Sequence, residues 1–249
     1  MTVLGNQALQ DFLDALHAKS DEQAALIQAF EAKRDSSELS PSAEEIRAFR
    51  SDKLVALDRD KAEFCYQLCR AKKASKIIEV GTSYGVSTIY LAAAVRDNVN
   101  AFGGNGVVIG TEYEPSKAAA ARAHFAQAGL SSFIELRVGD LRETLKQIDG
   151  PIDFVLMDVW IAMARPALEL ISPHLSQGAV VVCDNTKQQS RIRKFEQVDK
   201  WSFCLTAGTL SPRIRRDDEQ TTTPEPHPGL QGEGGACCRQ GRPDDRTTG

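Results

Sequence analysis

The sequence has no surplus of positive charge. Its 30 lysine and arginine residues are outnumbered by 34 aspartate and glutamate residues, which gives a formal net charge of −4 and a pI of about 5.7. Nucleic-acid-binding domains typically carry a basic patch and a high pI. The charge balance therefore argues against a nucleic-acid partner, and we expect a small-molecule substrate.

Long apolar runs are also missing. No stretch reaches the roughly 20 residues that a membrane-spanning helix needs, and the opening residues do not resemble a signal peptide. The six cysteines form no disulfide framework: Cys65 and Cys69 lie one helical turn apart in an apolar stripe, and Cys183 ends a hydrophobic stretch. We therefore expect a cytoplasmic protein without a membrane partner.

Large apolar side chains are scarce near the end of the chain. After Ser211 there is no aromatic residue, and the only large aliphatic residues are Ile214 and Leu230. Such a segment cannot bury enough apolar surface to offset the entropy lost on ordering it. Residues 211–249 are therefore predicted to be a disordered tail outside the core.

Residues 1–73 have the periodicity of helices. Apolar side chains recur every three or four positions from Leu9 to Leu16, and a second helix is predicted over residues 22–33. A capping box at Ser42, with a glutamate three residues later, starts a third helix. We predict that this part of the chain forms an N-terminal helical cap.

A fourth helix is predicted to start after Asp58 or Asp60, either of which can cap it. Its cysteines fall on an apolar side of the helix. Its polar residues, Lys61 among them, are interpreted as a face exposed to solvent.

From Lys76 onward, predicted strands and helices alternate. Strands are predicted at 76–80, 107–111, 133–138, 152–157 and 178–183, and helices at 86–96, 115–128, 141–147 and 162–174. Such alternation implies a parallel sheet covered by helices on both faces. We therefore predict an α/β fold with a doubly wound, Rossmann-like sheet, and a ligand-binding domain over residues 74–210.

The stretch from Glu79 to Gly85 reads E-V-G-T-S-Y-G and joins the first predicted strand to a helix. Its spacing matches neither the G-x-G-x-x-G fingerprint nor a P-loop, which disfavours a nicotinamide dehydrogenase. Ligands bind at this edge of an open α/β sheet, and Gly81 lets a ligand approach the main chain closely. An acidic strand end suits the cationic S-adenosylmethionine better than a phosphate. The alternative is a tight turn required only by packing.

Two further acidic residues follow predicted strands. Glu112 can accept hydrogen bonds from both hydroxyls of a ribose, although an acidic residue here can also interact with the dipole of the next helix. Glu114 fits this second role better. Asp140 stands where a side chain can approach the adenine edge, or it is a plain helix N-cap.

Two apolar strands end in oxygen-bearing side chains. Asp158 follows the predicted strand at 152–157, and Asp184 and Asn185 follow the one at 178–183. If these strands are neighbours, two carboxylates and an amide oxygen converge, which suits a hard cation such as Mg²⁺.

Together these motifs resemble the cation-dependent O-methyltransferases of the catechol and caffeoyl-CoA type, which have the class I methyltransferase fold. The resemblance covers about residues 50–190. It implies methyl transfer from S-adenosylmethionine to an oxygen of a small, phenolic or catechol-like substrate, with a divalent metal, Mg²⁺. The oligomeric state to be tested is a homodimer.

The resemblance also implies residue roles. Asp158, Asp184 and Asn185 would hold the metal, and Asp158 would be catalytic in that capacity. Trp160 would pack against the adenine. The residues assigned to the cofactor are Glu79, Gly81, Thr82, Ser83, Gly85, Ser87, Glu112, Asp140 and Trp160.

The sequence departs from this family in two places. The family usually has a general-base lysine shortly after its first metal-binding aspartate, and here Ile161 stands at that position. The family sheet also ends in a further strand pair, of which residues 201–205 could supply only one strand, so the final pair is expected to be incomplete. The alternative function is therefore a catalytically impaired relative that still binds the cofactor. Lys187 is close in sequence to the metal pair and is a second candidate base.

Overall fold

A computed structural model of the chain describes residues 3–36, 41–184 and 202–205. Within them, six strands form one sheet in the order β3-β2-β1-β4-β5-β6. The strands are β1 (Lys76–Val80), β2 (Val107–Glu112), β3 (Ile134–Val138), β4 (Ile152–Met157), β5 (Leu175–Cys183) and β6 (Ser202–Leu205). The first five are parallel to one another, which confirms the predicted α/β class.

The topological switch point of the sheet lies between β1 and β4. The chain moves outward from β1 through β2 to β3 and then returns to place β4 on the other side of β1. In such sheets the ligand crevice lies at this switch point, beyond the carboxyl ends of the strands. Gly81 and Asp158 directly follow the two strands that flank it.

The far edge of the sheet is antiparallel. Strand β6 pairs with β5 in register from Val180–Leu205 to Cys183–Ser202, so the single strand predicted at 201–205 is present. Any partner that would complete a final strand pair lies outside the described residues.

Seven α-helices surround the sheet in the described part of the chain. They are α1 (Gln7–Ser36), α2 (Ala43–Arg50), α3 (Arg59–Lys72), α4 (Val86–Phe102), α5 (Pro115–Gln127), α6 (Leu141–Thr144) and α7 (Ile161–Ile171). The expected capping box of α2 forms, with the Ser42 hydroxyl accepting from the Glu45 N–H and the Glu45 carboxylate accepting from the Ser42 N–H.

The prediction of two separate helices before residue 37 was wrong. Helix α1 runs without interruption through the polar residues that follow Leu16. The intervening sequence contains neither glycine nor proline, and its alanine and lysine residues favour a helix. The fading of the apolar pattern therefore marks the point where the helix leaves the core, and the helix itself continues.

The core has one layer on each face of the sheet. Helices α1, α3, α4 and α5 share the first layer with residues of β1 and β4 such as Ile77 and Phe154. Helices α6 and α7 cover the other face, against Ile78 and Val155. No helix in the described ranges is long and apolar enough to cross a membrane.

By its internal contacts the chain divides into Met1–Leu210 and Ser211–Gly249. The second unit lies outside the described residues, so the disorder predicted for 211–249 stays a prediction. The division at residues 73 and 74 also stays a prediction, and α1 and α3 contribute to the same apolar layer as the sheet.

Candidate functional site

The turn after β1 is held against two neighbouring strand ends. The N–H of Gly81 donates to Thr111 Oγ1 at 3.3 Å, and the N–H of Thr82 donates to the Thr111 carbonyl at 2.8 Å. On the other side, the Asp158 N–H donates to the Val80 carbonyl at 2.9 Å. These bonds fix the turn at the switch point of the sheet.

The structure gives Gly81 a packing role. Its φ is +97°, and a Cβ built there would lie 2.0 Å from the carbonyl oxygen of Asp158. The space beside this glycine is thus filled by the protein's own main chain, as the packing alternative proposed. Its predicted contact with a cofactor stays a prediction.

Gly85 has a similar packing role one turn later. It is the left-handed N-cap of α4, with φ +81°, and a Cβ there would lie 2.3 Å from the Phe125 ring of α5. Between the two glycines, Ser83 also has a positive φ of 50°. The first three N–H groups of the turn, those of Gly81, Thr82 and Ser83, donate to Thr111 and Glu112 at the end of β2.

Glu79 is buried beneath the turn. Its Oε1 accepts from Ser87 Oγ at 2.7 Å, and its Oε2 accepts from Thr82 Oγ1 at 2.9 Å and from Thr88 Oγ1. Burial raises the pKa of Glu79, opposed by these hydrogen bonds and assisted by the nearby charge of Glu112. The three hydroxyls keep the carboxylate in one orientation inside the domain.

Two residues of this arrangement were missed from the sequence. Thr88 lies on the first turn of α4, and nothing in the sequence distinguishes it from any other threonine in a helix. Gly110 interrupts the apolar β2 strand, and a Cβ there would lie 2.4 Å from Thr82 Oγ1. A glycine inside a strand can mark close approach by another group, and this signal could have been used.

The raised pKa of Glu79 predicts a dependence of stability on pH. Because the folded-state pKa lies above the ordinary 4.5, its contribution to stability is fully present below pH 4.5 and is lost as pH rises through the folded-state pKa. Glu79→Gln should remove this loss, so the variant should gain stability relative to the native protein as pH rises. Urea unfolding across a pH series measures the difference.

The matched control is Glu135→Gln, which changes an exposed glutamate on β3. It should leave the pH profile close to that of the native protein. If the profiles of Glu79→Gln and the native protein run parallel from pH 4 to pH 8, the buried carboxylate does not titrate as described.

Glu112 bridges the end of β2 and the glycine turn. Its Oε2 accepts from the Ser83 N–H at 2.7 Å, and its Oε1 accepts from the Glu114 N–H at 2.8 Å. Each oxygen retains lone pairs beyond these bonds. The carboxylate is thus fixed by the main chain with acceptor capacity for a pair of hydroxyls.

Asp140 is a helix N-cap. Its carboxylate accepts from the Arg142 N–H at 2.9 Å, and its side chain also pairs with the Arg142 guanidinium. These contacts lower the pKa of Asp140 to about 2. A contact with adenine stays a prediction, as it does for Trp160, which is 50% exposed just before α7.

Asp158 and Asp184 follow neighbouring parallel strands. The Asp184 N–H donates to the Met157 carbonyl at 2.9 Å, which places both aspartates at the carboxyl edge of β4 and β5. The adjacency on which the metal hypothesis depends is therefore present. Asn185 and Lys187 lie outside the described residues.

The Asp184 carboxylate has a partner that was not predicted. Lys61 Nζ of α3 donates to Asp184 Oδ1 at 2.7 Å and pairs with Asp58 at 2.9 Å. The lysine side chain is only 15% exposed, so the interpretation of Lys61 as part of a solvated face was wrong. The sequence could not reveal this, because the two partners are 123 residues apart.

The donor chemistry of this edge suits a divalent cation, although it is not preassembled. Two carboxylates at adjacent strand ends are hard oxygen ligands. Among the described residues, no group of three or more histidine, cysteine, aspartate or glutamate residues is arranged to hold a metal. A cation here would need further ligands, such as the Asn185 amide oxygen, water or substrate.

Comparison with known proteins extends these observations. Residues 78–186 match the family of methyltransferase domains. Over 136 residues the chain is 32% identical to a catechol O-methyltransferase of Mycobacterium tuberculosis, covering 53% of this chain and 57% of that protein. Over 134 residues it is 33% identical to a catechol O-methyltransferase of Niastella koreensis, covering 51% and 54%. The chain thus matches only about half the length of these relatives.

A solved structure supports the fold. The O-methyltransferase TomG of Streptomyces achromogenes, involved in tomaymycin synthesis and solved in complex with SAM, superposes with a TM-score of 0.51. The sequences are 24% identical, and the match covers 66% of this chain and 74% of TomG. This likeness confirms the Rossmann-like architecture.

Proposed function

We propose that this chain, a member of the class I S-adenosylmethionine-dependent O-methyltransferases, transfers a methyl group to an oxygen of a small hydroxylated acceptor. The observation that carries the proposal is the pair of fixed carboxylates, Glu79 and Glu112, on either side of the glycine turn. The catechol O-methyltransferase relatives support oxygen as the acceptor atom.

The two carboxylates have different tasks in the proposal. Glu112, held by two N–H groups, accepts hydrogen bonds from the ribose hydroxyls. A cationic cofactor above the turn favours the ionised form of Glu79, whose negative charge then attracts it in surroundings that screen charge poorly. S-adenosylmethionine supplies a sulfonium-bound methyl group and leaves as S-adenosylhomocysteine. The turn therefore contributes mainly by positioning the methyl carbon for in-line attack.

The acceptor is proposed to be phenolic or catechol-like and to bind at the edge formed by Asp158 and Asp184. With Asn185, these aspartates would hold a divalent cation such as Mg²⁺. A bound cation lowers the pKa of a coordinated hydroxyl. The acidic net charge of the chain supports a small acceptor over a nucleic acid.

Ile161 at the usual position of the base affects the proton balance. The acceptor oxygen forms its bond to the methyl carbon as the carbon–sulfur bond breaks, and the hydroxyl proton must leave. An isoleucine cannot take it, so the proton goes to solvent or to another side chain. Acidic phenols should consequently be better acceptors than alcohols.

Replacement of Glu112 should weaken cofactor binding. Glu112→Ala is expected to cost ~1.5–3 kcal/mol in the binding free energy of S-adenosylmethionine, the value of hydrogen bonds to a charged group. Isothermal titration calorimetry measures this directly. Glu114→Ala is the matched control, because it removes a neighbouring carboxylate but retains the main-chain N–H that donates to Glu112. Unchanged affinity in Glu112→Ala would remove Glu112 from the cofactor site.

The decisive experiment is product formation. The protein is incubated with S-adenosylmethionine and a panel of phenols and catechols, with and without Mg²⁺, and methylated products are identified by mass spectrometry. Methylated phenol is the expected result. Cofactor binding without any methylated product would favour the alternative, a catalytically impaired relative, for which the isoleucine at position 161 provides the reason.

We also propose that the protein is cytoplasmic. The assembly to test is a homodimer. Free, buried thiols at Cys65 and Cys69 support a reducing compartment.

A further inference from the structure

Lys61 of α3 pairs with two carboxylates, that of Asp184 at the end of β5 and that of Asp58 at the N-cap of its own helix. Its ammonium lies 2.7 Å from Asp184 Oδ1 and 2.9 Å from Asp58 Oδ2. The Asp184 side chain is 20% exposed, whereas that of Asp58 is 66% exposed. The ammonium thus lies between an inner carboxylate, that of Asp184, and an outer carboxylate, that of Asp58.

The surroundings of the inner pair are mostly apolar. A small cavity beside Lys61 and Asp184 is lined by Leu57, Cys65, Leu156, Val182 and Cys183. Charges in such surroundings interact more strongly than charges in water. Burial is the largest influence on the pKa of Lys61 and lowers it, but the hydrogen bonds to Asp184 and Asp58 outweigh burial and raise the pKa. The contacts to two carboxylates are those of a charged ammonium.

We propose that the Lys61 ammonium is the resident counter-cation of Asp184, and that a divalent cation binds at this edge by displacing it toward Asp58. The inference rests on the metal site of the proposed function. A divalent cation on Asp184 repels an ammonium 2.7 Å from the same carboxylate. Asp58 offers the displaced ammonium a partner near solvent, so the exchange leaves neither charge unpaired.

This exchange makes opposite predictions for the two partners of the lysine. Lys61→Met removes the competing charge and should tighten Mn²⁺ binding about tenfold, because a charge-assisted hydrogen bond no longer has to be broken. Asp58→Asn removes the outer partner and should weaken Mn²⁺ binding severalfold. In the double variant, which combines Lys61→Met with Asp58→Asn, the effect of Asp58→Asn should disappear. No displaced ammonium then remains for the residue at position 58 to bind.

Mn²⁺ binding is measured on the full chain by electron paramagnetic resonance of the free ion, with calorimetry of S-adenosylmethionine as the check that each variant is folded. Lys61→Arg should stay close to the native affinity because it keeps the charge. Lys76→Met is the control for loss of a lysine, since Lys76 pairs with Asp149, which precedes β4.

Unchanged or weaker Mn²⁺ binding in Lys61→Met would overturn the inference, as would an effect of Asp58→Asn that persists in the double variant. Methyl transfer without Mn²⁺ binding in any variant would also overturn it while leaving the O-methyltransferase proposal intact. Mn²⁺ binding that follows the predicted pattern without methyl transfer would support the inference and contradict the proposed activity.

Discussion

Replacement of Gly81 by alanine is expected to lower the free energy of unfolding by about 4 kcal/mol or more, among the largest effects of single substitutions. A Cβ at this position would lie 2.0 Å from the Asp158 carbonyl oxygen. Relief of that clash requires the ends of β1 and β4 to separate, because the obstructing atom belongs to the main chain. The positive φ of 97° adds backbone strain to the clash.

Gly129→Ala separates the strain from the clash. Gly129 also has a positive φ, of 69°, but a Cβ there would meet nothing within 4 Å. Its replacement should cost only about 1–2 kcal/mol, the penalty for the left-handed conformation. Urea unfolding of both variants gives the comparison. Equal losses at the two glycines would show that the main chain around Asp158 can move aside.

Removal of divalent cations is expected to abolish methyl transfer, with Mg²⁺ restoring it. A cation at Asp158 and Asp184 would assist loss of the acceptor proton, and the isoleucine at position 161 provides no substitute. Asp158→Asn should reproduce the effect of the chelator even in excess Mg²⁺. The rate of product formation, measured by mass spectrometry, tests both results.

Asp153→Asn is the matched control for this experiment. Asp153 lies on β4 and accepts hydrogen bonds from Ser75 and Ser176 at the opposite end of the strand. Its replacement should affect stability and leave the cation requirement in place. Full activity in excess chelator would contradict the metal site and leave Asp158 and Asp184 as contacts for the acceptor.

The parts of the fold that depend on local pattern were predictable from the sequence. Strands β1, β2, β4 and β5 contain short apolar runs, a signal typical of a buried parallel sheet. Strand β3 instead alternates apolar and charged residues, as expected of a strand that is only partly buried. The acidic residues at the strand ends could be assigned to one edge, because parallel strands present their carboxyl ends together. Glu79 and Glu112 were selected in this way, and the structure places both beside the glycine turn.

Features that depend on contacts distant in sequence were not predictable. The polar face of α3 looks solvated in sequence, yet Lys61 faces a strand end 123 residues later. Gly81 was interpreted mainly as room for a ligand, whereas its neighbour is the main chain after β4. Periodicity describes which side of an element is apolar and does not identify what covers it.

The contact between Gly81 and the Asp158 carbonyl has a mechanical consequence. Two main-chain segments that meet without an intervening side chain have no rotamer that can absorb a displacement. The turn proposed to hold the methyl donor and the main chain that carries the Asp158 carboxylate should therefore move as one rigid part. In a reaction that needs a donor carbon and an acceptor oxygen in line, such stiffness fixes their separation in the domain before either molecule arrives.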